Sequence, residues 1–410
     1  MKKTSKPARG TRDILPAQAE LRAHALLKIS EAFQLFGFQR IETPTIENIQ
    51  NLRSGDGGEN ETLVFQILKR GDKLNLNEVN EPGDLVDLGL RYDLTLPLAR
   101  MVANNRAELP PVFRSLQIGP VWRAERPQKG RFREFVQCDA DVIGDASNVA
   151  EIELIMATST ALCSLGLRSF KVRINDRRLL GALGKGSNFS ESEVPSLLIA
   201  LDKLDKIGAE GVTNELIGKG FPEDQVKSLL TKIELISNAT SVDEQLSHFH
   251  GIAEDAVIER LRSTLQSVRD QIHDDSFSIE FDPTLVRGMG YYTGQIFEIG
   301  YKDYPFSIAG GGRYDGMISS FGARSEPACG FSIGFERIVT VLEDEGVTGE
   351  SNSEKILILY ETEDQLFKNV SEFRQKGKIT TVARKGRNFK NQLEQYKKLG
   401  FSHFGLMREG

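Results

Sequence analysis

Three arginines stand in strand-like, partly apolar surroundings: Arg123 in PVWRAE, Arg287 in TLVRGMGYYTG and Arg337 in GFSIGFER. Arginine is seldom buried without an anion, because its guanidinium stays charged and demands acceptors. Three such sites fit a pocket for a phosphorylated ligand, although an arginine of this kind taken singly is more often structural. Two glycine-rich stretches lie nearby. Gly310-Gly311-Gly312, followed by Arg313-Tyr314-Asp315-Gly316, would let a backbone approach a ligand or another chain closely. In Arg287–Gly294 paired tyrosines flanked by glycine can line a site for a polar ring; a tight turn with core tyrosines is the alternative. There is no Walker A sequence and no G-x-G-x-x-G after a strand, so a nucleotide here would not sit on a P-loop or a Rossmann turn. HExxH is also missing, and GALGKGS (181–187) reads as a loop.

The elements that must position these residues follow from spacing. Residues 1–20 read as an extended arm ending at Leu15-Pro16, before a helix with Leu26, Ile29, Phe33 and Phe36 on one face, stopped by Gly37. A strand at 38–43 runs into Pro44. Residues 85–103 turn from strand to helix. Strands at about 115–125 and 133–143 make a long hairpin around ERPQKGRFR, followed by a helix near 149–165 and a strand at 170–175. From 178 to 274 helices are expected around 195–207, 223–237, 242–250 and 253–272. Strands return at 277–281, 295–300 and 305–309, and a helix near 330–345 closes this part. Ser351-Asn352-Ser353 suits a linker. The tail alternates as βαβαβ, which implies a small parallel sheet, whereas hairpins make the main sheet largely antiparallel. The fold class is thus α+β. A catalytic core spans 1–177 and 275–348, with a helical insertion at 178–274. A small α/β domain occupies 354–410.

Composition sets the outer limits. A chain of 410 residues allows two to four domains at roughly 100–200 residues each. Cys138, Cys163 and Cys329 are odd in number and far apart, which speaks against a disulfide framework or structural zinc and for a reducing cytoplasm. No apolar run is long enough to span a membrane. Net charge is −6, but residues 355–410 carry twelve Lys/Arg against six Asp/Glu, +6, leaving −12 on the rest. A basic end on an acidic body suits a polyanion engaged by that end, though ordinary surface charge would look the same.

Taken in order, several stretches resemble one family. GPVWRAERPQKGRFREFVQCDADVIG resembles motif 2 of class II aminoacyl-tRNA synthetases in its histidyl form, and GFQRIETP resembles motif 1, with Pro44 as the interface proline. CGFSIGFER resembles motif 3. RGMGYYTGQIFEI and AGGGRYDGM resemble the two signature segments of histidyl-tRNA synthetases, and RGTRDILP and LRYDLTLPLAR are also similar to that family. The resemblance covers about residues 8–345 and weakens beyond.

It implies a six- or seven-stranded antiparallel sheet flanked by helices, a homodimer, and histidine–tRNA ligation from ATP, L-histidine and tRNA(His), with Mg2+ accompanying ATP and no protein ligand for it assigned. By this resemblance Arg123, Glu125 and Arg337 bind ATP. Arg287, with Arg123, acts catalytically where the histidine carboxylate meets the α-phosphate. Asp93, Thr95 and Gln137 hold the α-ammonium, while Asp141, Tyr291 and Tyr292 receive the imidazole side. The loop 124–131, with Arg126, Gln128 and Arg131, meets the tRNA acceptor end. Gly290 departs from the family's usual Asp, and Asp93 and Asp141 stand where many members have Glu, a difference of about 1.5 Å in reach. Two other readings share the fold: the regulatory subunit of ATP phosphoribosyltransferase, and a tRNA-binding sensor without ligase activity. Retention of Arg123, Arg287 and Arg337 and of the basic tail favours the ligase.

Overall fold

The computed structural model describes residues 4–53, 60–76, 79, 81–127, 131–287, 290–349, 354–363 and 366–407. These fall into two compact units. One comprises Met1–Thr11 and Lys28–Ile338, the other Arg12–Leu27 and Val339–Gly410. Linker residues 351–353 lie outside the described residues.

In chain order the strands are β1 (Gln39–Ile41), β2 (Ile46–Asn48), β3 (Phe65–Leu68), β4 (Val86–Leu90), β5 (Phe113–Trp122), β6 (Glu134–Ile143), β7 (Phe170–Asp176), β8 (Phe277–Phe281), β9 (Gln295–Gly300), β10 (Ala309–Arg313), β11 (Ala328–Gly334), β12 (Lys355–Tyr360), β13 (Ile379–Arg384) and β14 (His403–Met407). The main sheet has the order β1-β5-β6-β11-β10-β9-β7-β8. Eight strands, rather than six or seven, result because a parallel strand is added at each edge, β1 on β5 and β8 on β7. All the pairings between those edges are antiparallel. The β5–β6 hairpin is long because ten consecutive residues of each strand pair, from Phe113↔Ile143 to Trp122↔Glu134.

The helices are α1 (Pro16–Leu35), α2 (Ile49–Arg53), α3 (Thr95–Asn105), α4 (Val149–Ser164), α5 (Arg177–Lys185), α6 (Val194–Leu201), α7 (Leu204–Gly218), α8 (Glu223–Ser237), α9 (Val242–Ser247), α10 (Asp255–Arg269), α11 (Phe335–Asp344), α12 (Leu366–Gln375) and α13 (Phe389–Lys397). Helix α1 starts at Pro16, inside the stretch read as an extended arm, since proline is pre-set for a first helical turn. It ends where expected: Gly37 adopts φ 77°, and Phe38 N–H closes the end on the Phe33 carbonyl. Between β7 and β8 the chain is helical, as its periodicity implied.

Three local readings are corrected. GALGKGS is mostly helix α5: Asp176 caps it by accepting from Arg178 N–H at 2.9 Å, and Leu179, Leu180 and Leu183 are buried. Its glycines serve packing, since a Cβ on Gly184 would come within 3.0 Å of Leu197 of α6. The strand expected at 305–309 is instead β10, the triple glycine itself. Before it, Tyr301, Tyr304 and Phe306 stack in a turn, and pairing resumes with Ile308 N–H on the Ile299 carbonyl. The helix expected from 330 begins at Phe335, because Ala328–Gly334 pairs with both β6 and β10.

A second sheet, β2-β4-β3, packs on α2 through Ile49, Leu52, Val64, Val86, Tyr92 and Leu96 and delivers the chain from β4 into α3. Helix α4 covers the main sheet opposite the cavity described below. There Glu151, fully buried, accepts two hydrogen bonds from Arg313, both 2.7 Å, and one from Arg260 of α10 at 3.2 Å. One buried acid thereby ties β10, α4 and α10 together.

In the second unit β12 is the centre of a parallel sheet, β13-β12-β14. Ile356, Ile358, Leu366 and Val370 form the core against α12. The pairs Leu357↔Phe404 and Leu359↔Leu406 share the other face; Leu357 and Leu359 are buried, while Phe404 and Leu406 stay 37% and 38% exposed.

Candidate active site

One cavity of about 390 Å³ opens over the centre of the main sheet. Four neighbouring strands, the connections around them and the starts of α3, α7 and α11 supply its walls, and strand alternation decides which strand side chains point in. On β6, Gln137, Asp139 and Asp141 all line it. Opposite Asp141 in the register is Gly330 of β11. A Cβ there would overlap the Asp141 carboxylate, so glycine makes room for the acid.

The cavity has an acidic end. Asp93 sits at the turn from β4 into α3 and accepts from Leu96 N–H at 3.2 Å, which fixes it at the helix start beside Thr95. Asp141 accepts from Tyr314 Oη at 2.6 Å, and its second oxygen is buried without a partner. Burial pushes the Asp141 carboxyl up to about 7, with the Tyr314 hydrogen bond working against it and Asp93 adding to it. Asp139, which accepts from Ser332 Oγ, is pushed well above the usual carboxylate range by burial and by Asp141. Burial raises Asp93 too, against the Leu96 amide and Arg123. Gln137 donates to Ser332 Oγ at 3.2 Å, and its carbonyl oxygen has no partner. Tyr291 and Tyr292, with ring centroids 4.8 Å apart, have hydroxyls held up by burial, so both stay neutral.

The other end is basic. Arg123 donates from Nε to the Tyr92 carbonyl at 3.0 Å and lies over the Phe135 ring. Arg337 donates to the Ser307 carbonyl at 2.6 Å and lies over Phe306. Arg287 pairs with Glu298 of β9 at 2.7 Å. Burial, and then the neighbouring Arg131, Arg287 and Arg123, lower the Arg337 pKa, the last three by repulsion. Such crowding of guanidinium groups suits a polyanion.

Every site residue expected from the sequence is brought to this cavity except two. Arg126 is exposed and does not line it, because the loop turns outward after Glu125. Gln128 lies outside the described residues. Arg131 lines the rim and pairs with Glu125 at 3.0 Å. The cavity also contains residues the sequence reading passed over: Asp139, Ser332, Tyr314, Glu298, Glu336, and Asp202 and Lys206 from the helical insertion. Asp139 was findable, since it alternates with Gln137 and Asp141 on one strand face. Tyr314 directly follows the triple-glycine stretch. Asp202 and Lys206 carry no local signal, because only the folding of α6 and α7 back over the sheet brings them in.

Comparison with known proteins gives a consistent answer. The sequence model of the histidyl-tRNA synthetase family matches residues 10–338. A histidine–tRNA ligase from Leifsonia xyli is 44% identical over 413 residues, covering 98% of this chain and 95% of its own. The crystal structure of histidyl-tRNA synthetase from Nostoc sp. superposes with a TM-score of 0.79 at 24% identity, covering 98% of this chain and 90% of that one. A structure described as an ATP phosphoribosyltransferase regulatory subunit/histidyl-tRNA synthetase, from Bacillus halodurans, also reaches 0.79, at 21% identity over the full length of both. These last two likenesses speak for the fold.

Proposed function

Because the chain belongs to the histidyl-tRNA synthetase family and is a histidine–tRNA ligase, we propose that the 390 Å³ cavity is where histidine and ATP meet. The observation that carries this is the division of the cavity into an acidic end and an arginine end. Asp93, Thr95 and Gln137 take the α-ammonium. Asp141 and the tyrosines Tyr291 and Tyr292 face the imidazole; neutral imidazole offers one donor and one acceptor, and a carboxylate with tyrosine hydroxyls supplies the complements. Arg123 and Arg337 take the phosphates, and Glu125 the nucleotide side.

The substrate carboxylate is itself the nucleophile, so no side chain has to remove a proton. Catalysis then consists of alignment plus neutralisation of charge at the α-phosphate, the role of Arg287 and Arg123. Phosphate-borne Mg2+ takes one or two protein carboxylates and completes its shell with water and phosphate. Glu125 and Glu336 line the cavity, one paired with Arg131 and the other next to Arg337 in the chain, and they fit that donor set and would hold it. When bound, the ion offsets phosphate charge. Arg131, Arg126 and Gln128 belong to the loop that meets the acceptor end of tRNA(His), and the basic 354–410 region serves as an anticodon-binding-like module. The fold alone also suits a regulatory subunit, but such a protein has no need of three arginines in a nucleotide-sized cavity. Among the described residues no helix is long and apolar enough to cross a membrane, and three free cysteines suit the cytoplasm.

Histidine-dependent ATP–pyrophosphate exchange tests the reading. Arg287→Ala is expected to lower kcat on the order of 10²–10³-fold while histidine binding changes far less. A near-normal exchange rate in that variant would remove Arg287 from the chemistry.

A further inference from the structure

We propose that Ser332 and Asp139 are positioning residues that hold the Gln137 amide with its oxygen toward the cavity, where that oxygen accepts from the substrate α-ammonium. The inference rests on the functional reading above and adds two residues to it. Strand register brings the three together, since Ser332 of β11 stands opposite Asp139 of β6 and Gly334 opposite Gln137.

The polarity of the chain of hydrogen bonds follows from counting protons. A serine hydroxyl has one proton to give. Ser332 gives it to Asp139 Oδ1, so toward Gln137 it can only accept. The amide therefore turns its NH2 end to Ser332, at 3.2 Å. Its oxygen is left buried and without a partner, in a residue that lines the cavity. An amide oxygen stranded in this way is costly unless a ligand donor completes it. A protonated Asp139 keeps this polarity while its proton sits on Oδ2, leaving Oδ1 to accept from Ser332. Without the serine hydroxyl nothing distinguishes the two ends of the amide. Half of its orientations would then present NH2 to an incoming ammonium, donor against donor.

The test uses the full chain and three readouts. In histidine-dependent exchange, Ser332→Ala should raise the KM for histidine about tenfold, the effect of one misdirected charge-assisted hydrogen bond. The KM for ATP should hold within about twofold, and thermal unfolding should show an intact fold. Asp139→Ala should cost the same, and the double variant no more than either alone, because both act through one amide. In a Gln137→Ala background Ser332→Ala should add nothing. As inhibitors, histidinol, which keeps the ammonium, should weaken with Ser332→Ala, whereas imidazole-4-propionate, which lacks it, should not. An unchanged KM for histidine, multiplicative single effects, or equal weakening of both inhibitors would overturn the proposal. A wild-type chain with no histidine-dependent exchange would instead overturn the functional reading beneath it.

Discussion

Gly310 and Gly311 are neighbours on one strand, yet the structure assigns their loss opposite consequences. A Cβ built on Gly310 would overlap the guanidinium of Arg287, touching only the tip of a flexible side chain. In Gly310→Ala the strand can stay in place while Arg287 swings aside and gives up its 2.7 Å bond to Glu298. That ion pair is about a quarter exposed, so its loss costs roughly 1 kcal/mol at most. A Cβ on Gly311 would overlap the Gly330 carbonyl and lie 2.8 Å from the Phe331 Cα. Nothing there can rotate away, because the obstacle is the backbone of β11, paired on both sides. The strands must part, at a cost of about 3 kcal/mol or more. At roughly 2–4 °C per kcal/mol for a domain of this size, Gly311→Ala should lower Tm by about 6–12 °C, and Gly310→Ala by no more than about 4 °C. Activity should run the other way. Gly310→Ala displaces the guanidinium from the reacting phosphate, so exchange should fall toward the 10²–10³-fold loss of an absent charge stabiliser. Scanning calorimetry and pyrophosphate exchange on the two variants give four numbers. A Gly310→Ala protein with exchange within a few-fold of wild type would show that Arg287 need not stand where it does. A Gly311→Ala protein as stable as wild type would refute the close-approach argument for the triple glycine.

Other outcomes follow from the same geometry. The Asp141 carboxyl rises from an ordinary 3.8 to about 7 on folding, so the folded chain binds the extra proton between those values and loses stability as pH climbs through them. The full effect is on the order of 4 kcal/mol. Asp141→Asn should therefore be more stable than wild type in urea unfolding at pH 8 and indistinguishable near pH 4, while binding histidine poorly. Replacing Glu151 by Leu leaves Arg313, buried at 4% exposure, with only Asp315 at 3.3 Å and the carbonyls of Asp145 and Ser147, and should cost about 3 kcal/mol by the same assay; a loss under 1 kcal/mol would mean that the Glu151–Arg313 pair is not holding β10 to α4. The edge strand β1 is followed by Pro44 and flanked by Leu35 at 81% and Ile46 at 48% exposure. Light scattering should find a dimer, and a fully active monomer would contradict the motif 1 assignment.

How much of this could be read from the residues depends on how far apart the relevant atoms lie in the chain. Arg123, Arg287 and Arg337 betrayed themselves by type against context: a guanidinium among apolar strand residues needs an anion wherever the strand ends up. The β5–β6 hairpin and the βαβαβ order of the tail were legible because their signals are periodic and local. The triple glycine was recognised as a place of close approach but not as a strand. Glycine has no side chain to alternate, and what makes Ala309–Arg313 a strand is the shape of β9 and β11 on either side. Helix α5 was hidden for a related reason. Its glycines look like a loop until Leu197 is seen packed against one of them. Gln137's partner, Ser332, lies 195 residues away, a distance over which no spacing rule operates.

The site is electrically unsatisfied at both ends in a way that one pair of substrates would resolve. At one end Asp93, Asp139 and Asp141 are crowded and buried, so their carboxyls hold protons longer than usual. At the other, Arg337 is pushed down by burial and by three neighbouring cations. Neither condition favours folding, since each sets like charges together away from water. Like charges set together in a cavity are a standing cost to stability, and such costs persist where a ligand of opposite sign removes them. A cation-bearing amino acid at the acidic end would return those carboxylates to their charged form. A polyphosphate at the basic end would relieve the arginines. On the proposed reading, each ligand would lower the strain of its own end of the one cavity, with Arg287 beside the carboxylate and the α-phosphate. The arrangement that crowds like charges in the cavity is, on that reading, the one that would bring the nucleophile and the reacting phosphate together.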